Sequence, residues 1–169
     1  MALGDFDSVS PEERQLIRER SAAFLDCDPV AKDLTDTQWA LDWALAQQPA
    51  SLLLLGVTGT RFDHTLANIH LLVRAAQAQV PCRIVDPHNE ISLLPEGGTL
   101  SLTKGHYEQV SLLPLSGTVT GITLDGFLYP LTNATISIGE TIGISNVMLG
   151  GTATVRSTTG LLLVIQSRD

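Results

Sequence analysis

The sequence predicts an α/β unit followed by an all-β antiparallel sandwich, because its hydrophobic periodicity changes near residue 88. Before that point, apolar residues spaced three and four apart alternate with short continuous apolar runs, as in helices laid against a parallel sheet. After it, short segments rich in Thr, Val, Ile and Leu alternate between apolar and polar, with Gly, Pro or Asn between them. The expected divisions are residues 1–88, an α/β nucleotide-binding domain with a parallel sheet, and residues 89–169, the sandwich.

Each element has its own warrant. Leu3–Asp7 reads as the end of a strand, so Asp5 and Asp7, two apart, point to one side. Ser10-Pro11-Glu12-Glu13 starts a helix, with Ser10 as N-cap, Pro11 at the first position and Glu13 placed for a capping box. A second helix begins around Asp33–Asp36, buries Ala40, Leu41, Ala44 and Leu45, and runs to Gln48, where Pro49 ends it. Ser51–Leu55 is a strand covered on both faces. A third helix, His64 to about Gln79, carries Leu66, Ile69, Val73 and Ala76 on one face, and the strand Cys82–Asp86 completes a βαβ unit. Beyond Pro87-His88-Asn89 come strands at Thr99–Thr103, Gln109–Leu113, Thr118–Leu124, Ala134–Ile138, Thr152–Arg156 and Leu161–Gln166, with Thr141–Ile144 also strand-like.

Composition narrows the function. The net charge of −8 and pI near 4.8 argue against a non-specific nucleic-acid binder, which needs a basic face to displace counterions. No apolar run approaches the roughly 20 residues of a membrane helix. Met1–Ser8 runs at once into acidic residues rather than a leader pattern, and Cys27 and Cys82 are too isolated for a disulfide framework. The expected compartment is the cytoplasm.

Three segments carry chemistry. Asp5 and Asp7 in Gly4-Asp5-Phe6-Asp7-Ser8 suit a hard divalent cation, since Mg²⁺ commonly uses one or two carboxylates plus substrate phosphates; the alternative is a turn that caps the next helix. Phosphatases of the D-x-D-x-T type begin similarly, but Ser8-Val9-Ser10 replaces the tail of that pattern. Lys32-Asp33-Leu34-Thr35-Asp36 lies where a loop meets a helix N-terminus, a place for phosphate, with Lys32 adding positive charge and Asp36 a further carboxylate. The alternative there is a well-capped helix. Gly56-Val57-Thr58-Gly59-Thr60-Arg61-Phe62-Asp63-His64 follows a strand end, where glycines admit phosphate to backbone N–H groups and Arg61 offers a bidentate fork. Asp63 is placed to cap the helix that follows. Farther on, Ser145-Asn146 offers a hydroxyl and an amide for a heterocycle edge, or simply a β-turn.

Taken in order with Leu66-Ala67-Asn68 and Gly126-x-x-Tyr129-Pro130-Leu131, these segments resemble the thiamine pyrophosphokinase (thiamine diphosphokinase) family over the whole chain. The resemblance implies a homodimeric enzyme that transfers pyrophosphate from ATP to the hydroxyl of thiamine, giving thiamine diphosphate and AMP. It implies that Asp5, Asp7 and Asp36 hold Mg²⁺ and position the reacting groups. Lys32, Gly59, Arg61, Asp63 and His64 would bind ATP, and Ser145 and Asn146 would grip the aminopyrimidine of thiamine at a subunit interface. Where some members stack an aromatic ring on thiamine, just after the Ser-Asn pair, this chain has Val147-Met148. Family members also carry a nucleotide loop before the Gly-Asp-Phe-Asp-Ser strand, whereas only Met1-Ala2-Leu3 precede Gly4, so an N-terminally shortened version is expected. The competing reading is a non-catalytic thiamine- or nucleotide-binding remnant.

Overall fold

The structure is a computed structural model that describes residues 1–26 and 34–169; Lys32 and Asp33 lie outside the described residues. The chain packs as two compact units, Met1–Pro49 and Ala50–Asp169.

In the first unit, β1 (Ala2–Gly4) leads through α1 (Pro11–Arg20) to β2 (Phe24–Asp26), which pairs with β1 in parallel, Leu3 opposite Leu25. The capping box forms as its four residues dictate. The Ser10 hydroxyl accepts the Glu13 N–H at 3.2 Å, and the Glu13 carboxylate accepts the Ser10 N–H at 2.8 Å. The Phe6 and Phe24 rings stack at 4.4 Å, with the Arg18 guanidinium 4.4 Å from the Phe24 centroid. The second helix, α2 (Asp36–Ala46), is capped by Thr35, which accepts the Gln38 N–H, and it buries Leu41. Ala40, expected on that buried face, is exposed.

The second unit runs β3 (Leu52–Leu55), α3 (Phe62–His70), α4 (Leu72–Gln77), β4 (Cys82–Val85), β5 (Asn89–Leu94), β6 (Thr99–Thr103), β7 (Gln109–Pro114), β8 (Thr118–Asp125), β9 (Ala134–Ser137), β10 (Thr152–Arg156) and β11 (Leu162–Ser167). One sheet has the order β3-β4-β5-β11-β7 and the other β6-β10-β8-β9. Only β3 and β4 are parallel; the rest pair antiparallel. Among the described residues, parallel pairing therefore occurs as two pairs, β1–β2 and β3–β4, in different sheets, instead of the one parallel sheet expected across residues 1–88. Residue 88 falls in the turn between β4 and β5, where Ile84 pairs with Ile91.

Strand alternation gives the five-stranded sheet two apolar faces. Leu94, Val110, Leu112, Leu162 and Val164 meet Val119, Ile122, Ile136 and Val155 of the other sheet, which makes the sandwich core. Ile91 and Leu163, with Leu93 and Leu113 beside them, pack on Leu72 of α4 and Ile69 of α3. The helical stretch is bent into two at Leu71, and the face it buries is Asn68, Leu71, Leu72 and Ala75, whereas of the expected Leu66, Ile69, Val73 and Ala76 the last three are half-buried and Leu66 is exposed. Asn68 is drawn inward because its amide donates to the Val57 carbonyl at 2.7 Å. The expectation that Ser51–Leu55 is covered on both faces is corrected: β3 is an edge strand, with Leu53 49% and Leu55 65% exposed.

Ile122 is fully buried between the sheets. Ile122→Val is expected to lower unfolding free energy by about 0.5–1.5 kcal/mol. Urea titration should show a lower midpoint at an unchanged slope.

Candidate functional site

The carboxylates of the first unit cluster around the end of β1. Asp36, the first residue of α2, accepts the Asp5 N–H on Oδ1 at 3.3 Å. It also lies so close to Gly4 that a Cβ there would come 3.2 Å from Asp36 Oδ2. A side chain at position 4 would push the Asp36 carboxylate back by a few tenths of an ångström. Asp7 is arranged differently from the expectation. The strand stops at Gly4, Phe6 takes a left-handed φ of 54°, and the Asp7 N–H donates to Asp5 Oδ1 at 3.1 Å. The Asp5–Asp7 pairing is thus a turn closed by a side chain. The same-side pair of strand residues does not form. Ser8 Oγ donates to Asp7 Oδ1 at 2.8 Å.

Among the described residues, no three His, Cys, Asp or Glu side chains converge tightly enough to hold a metal ion alone. Asp5 and Asp36 carry carboxylate oxygens, the hard donor type that Mg²⁺ takes alongside phosphate and water, and a hydrogen bond between the two residues runs from the Asp5 backbone N–H to Asp36 Oδ1.

In the second unit the Gly56–Arg61 loop leaves the carboxyl end of β3 and is pinned at three points. Thr65 Oγ1 accepts the Gly59 N–H at 3.1 Å, Asn68 holds Val57, and Thr58 Oγ1 donates to Asp86 Oδ2 at 2.9 Å. Arg61 is the N-cap residue of α3, which puts Asp63, the expected cap, inside the first turn, two places beyond the observed cap. The Arg61 guanidinium forks onto Asp63 at 2.7 and 3.3 Å, both side chains being mostly exposed. That hydrogen bond holds the Asp63 carboxyl below its usual range and raises the Arg61 guanidinium, with Coulomb attraction adding to both. His64 is exposed on the same turn. A cavity of about 450 Å³ lies beside the loop, lined by Thr58, Gly59, Thr65, Asp86, His88 and Asn89 among others.

Asp86 lines this cavity and reads in the sequence only as the end of a strand. It accepts Thr58, the His88 and Asn89 N–H groups at 2.8 Å each, and the Asn89 amide. Burial pushes its carboxyl up, but these hydrogen bonds outweigh that and leave it below the usual carboxylate range. Its signal was present in Asp86-Pro87-His88-Asn89, an aspartate opening a turn. Thr58→Val is expected to destabilise the fold by about 1 kcal/mol, one hydrogen bond's net worth. A carboxyl depressed by folding contributes stability above its unfolded value near 3.9 and loses it as pH falls through the lower folded value. The Thr58→Val difference should therefore shrink in melts below about pH 4. Burial also pushes the Cys82 thiol up to about 11, which keeps it protonated and unsuited to attack.

Ser145 and Asn146 belong to the opposite edge of the five-stranded sheet. Asn146 exchanges backbone hydrogen bonds with Val110 of β7, at 2.8 and 2.9 Å, while the Gly59 loop follows β3. Four strand intervals separate the two edges, roughly 19 Å at about 4.8 Å each. Thr141–Ile144 is turn rather than strand, and Ser145 has a left-handed φ of 59° with its N–H on Ser111 Oγ at 3.0 Å.

The first unit carries carboxylates at the end of β1, and the second carries a glycine–arginine–aspartate loop after β3 together with a β-sandwich, the features of a mixed α/β protein. Residues 1–84 match the family model of the thiamin pyrophosphokinase catalytic domain, and residues 97–162 that of its vitamin B1 binding domain. Thiamine pyrophosphokinase of Bacillus subtilis (strain 168) is 38% identical over 168 residues, 99% of this chain and 78% of the relative. The crystal structure of the Bacillus subtilis enzyme superposes with a TM-score of 0.90, covering 98% of this chain and 77% of that one. A thiamin pyrophosphokinase family protein from Enterococcus faecalis gives 0.89 at 33% identity, covering 99% and 79%. This chain belongs to the thiamine pyrophosphokinase family.

Proposed function

We propose that the chain transfers the pyrophosphate group of ATP to the hydroxyl of thiamine, giving thiamine diphosphate and AMP. The observation that carries this reading is the 38% identity to a thiamine pyrophosphokinase over 99% of the chain. A match to the catalytic-domain model favours an enzyme over a non-catalytic binding remnant.

In this reading the thiamine oxygen attacks the β-phosphorus of ATP. A bond forms there as the link from that phosphorus to the α-bridging oxygen breaks, and the oxygen leaves with AMP. An aspartate takes the hydroxyl proton. Such transfers depend on charge neutralisation and in-line positioning more than on covalent catalysis. Asp5 and Asp36, with Asp7 in the adjoining turn, are the groups to hold Mg²⁺, which when bound neutralises phosphate charge. Gly59, Arg61, Asp63 and His64 serve ATP, together with Lys32. Residues 1–88 act as the nucleotide-binding part and 89–169 as the thiamine-binding part, a division supported by the two family-model boundaries. Ser145 and Asn146 serve thiamine, and their distance from the Gly59 loop supports placing that grip at an interface in a homodimer. The working compartment is the cytoplasm; among the described residues no helix is long and apolar enough to cross a membrane.

The test is thiamine-dependent AMP formation from ATP and Mg²⁺, resolved by chromatography. Phosphate release without thiamine would indicate a hydrolase instead, and binding without AMP a non-catalytic protein.

A further inference from the structure

Gln166 interrupts an apolar row on the inner face of the five-stranded sheet. Along β11, Leu162 and Val164 belong to the sandwich core, and residues two apart share a face, so Gln166 continues their row. It stands opposite Glu90 of β5 and Val110 of β7. On the same face of β5, Ser92 and Glu90 follow the core residue Leu94, and Arg83 of β4 stands opposite Ser92. The sheet's inner face thus changes from apolar to polar toward one end, while β6 still presents Leu100 and the buried Leu102 to the sandwich interior. A cavity of about 300 Å³ lies between these groups.

The charges in the cavity offset each other, because the Arg83 guanidinium donates to the Glu90 carboxylate at 2.9 Å. Gln166 is different. It is only 9% exposed, it lines the cavity, and among the described residues its side-chain amide has no hydrogen-bond partner. A primary amide holds an acceptor oxygen and two N–H donors in one plane. Leaving such groups unpaired in an interior is costly, and a leucine at 166 would extend the Leu162–Val164 row without that cost.

We propose that this slot binds a small, neutral, planar heterocycle of the nucleobase class, with a hydrogen-bond donor beside an acceptor on one ring edge. The Gln166 amide matches such an edge with two coplanar hydrogen bonds, the pairing that glutamine and asparagine amides make with adenine. Leu100 and Leu102 offer the ring an apolar wall, and packed sheets about 10 Å apart admit a flat ring more readily than a bulky group. An ion gains little here, since Arg83 and Glu90 already neutralise each other. The slot is separate from the cavity beside the Gly59 loop. That cavity is lined by Ile91 and Ile165, which face the helices from the other side of the same sheet.

The test is calorimetric titration of the full chain with 9-methyladenine and with 1-methylcytosine, each beside its counterpart dimethylated on the exocyclic amine. Dimethylation keeps the ring and removes the donor. At least one of the two bases should bind at millimolar concentration, and its dimethylated form should bind at least about tenfold more weakly, the loss expected from one or two hydrogen bonds. Gln166→Leu should weaken the base by a similar factor, keep or raise the melting temperature, and leave KM for ATP and for thiamine unchanged. Should Gln166→Leu not fold, Gln166→Met, of similar length and without an amide, takes its place. The proposal is overturned if neither base binds, which would leave the slot to water, or if the dimethylated forms bind equally well. It is also overturned if the variant binds the base as the wild type does, or if the variant raises KM for ATP, which would assign the slot to the nucleotide site.

Discussion

Asp36→Asn is expected to lower AMP formation by about 10²–10³, the usual loss when one preorganised charge-stabilising group is removed from a transfer reaction. The substitution isolates charge from shape. Asparagine keeps an Oδ1 able to accept the Asp5 N–H, now 3.3 Å away, and fits the same space against Gly4. Helix α2 keeps its cap, since Thr35 rather than Asp36 accepts the Gln38 N–H. Losing one negative charge in the first helical turn contributes about 0.3–1 kcal/mol to the stability change. Parallel measurements of the melting curve and of AMP formation against Mg²⁺ concentration check this. A folded variant with near-normal rate at the wild-type Mg²⁺ requirement would remove Asp36 from the metal site. Gly4→Ala provides an independent route to the same place, because its Cβ must displace the Asp36 carboxylate.

Features decided by neighbouring residues were legible in the sequence. The capping box of α1 needs only Ser10 and Glu13, and β6 and β10 have the bounds that alternation predicts, because each keeps one face on the sandwich core. Features decided by distant partners were not. Strand β2 has three residues and exists through its pairing with β1, some 20 residues earlier, so no local pattern announces it. Thr141–Ile144 has the composition of a strand, yet Gly143 sits against Leu112, where a Cβ would come 2.6 Å from the carbonyl oxygen, and the segment turns with Ile142 and Ile144 exposed. Leu52–Leu55 reads as a covered strand because apolarity alone does not reveal that β3 is a sheet edge. In the candidate site, residue types were readable and their partners were not. Asp86 meets Thr58 across 28 residues, and the Asn146 amide meets Tyr129 across 17.

Arg61→Ala is expected to weaken ATP binding by about 1.5–3 kcal/mol, the worth of hydrogen bonds to a charged group, and to leave thiamine binding unchanged. The difficulty for this role is that Arg61 already has a partner, forking onto Asp63 at 2.7 and 3.3 Å. Exposure resolves it. The two side chains are 70% and 65% exposed, and an ion pair so open to water contributes little. A triphosphate carries several negative charges where Asp63 carries one, so exchanging the carboxylate for phosphate oxygens sacrifices a weak pair for a stronger set. The pair then serves to keep the guanidinium beside the first turn of α3 while the site is empty of nucleotide. Two variants separate these roles. If Arg61 binds phosphate and Asp63 only parks it, Arg61→Ala should weaken ATP by about 10- to 150-fold, whereas Asp63→Asn should change it by less than about fivefold. Calorimetric titration with ATP and Mg²⁺ gives both numbers. Equal losses from the two substitutions would mean that the Arg61–Asp63 pair acts as one structural unit, and unchanged ATP affinity in Arg61→Ala would take the guanidinium out of the phosphate site.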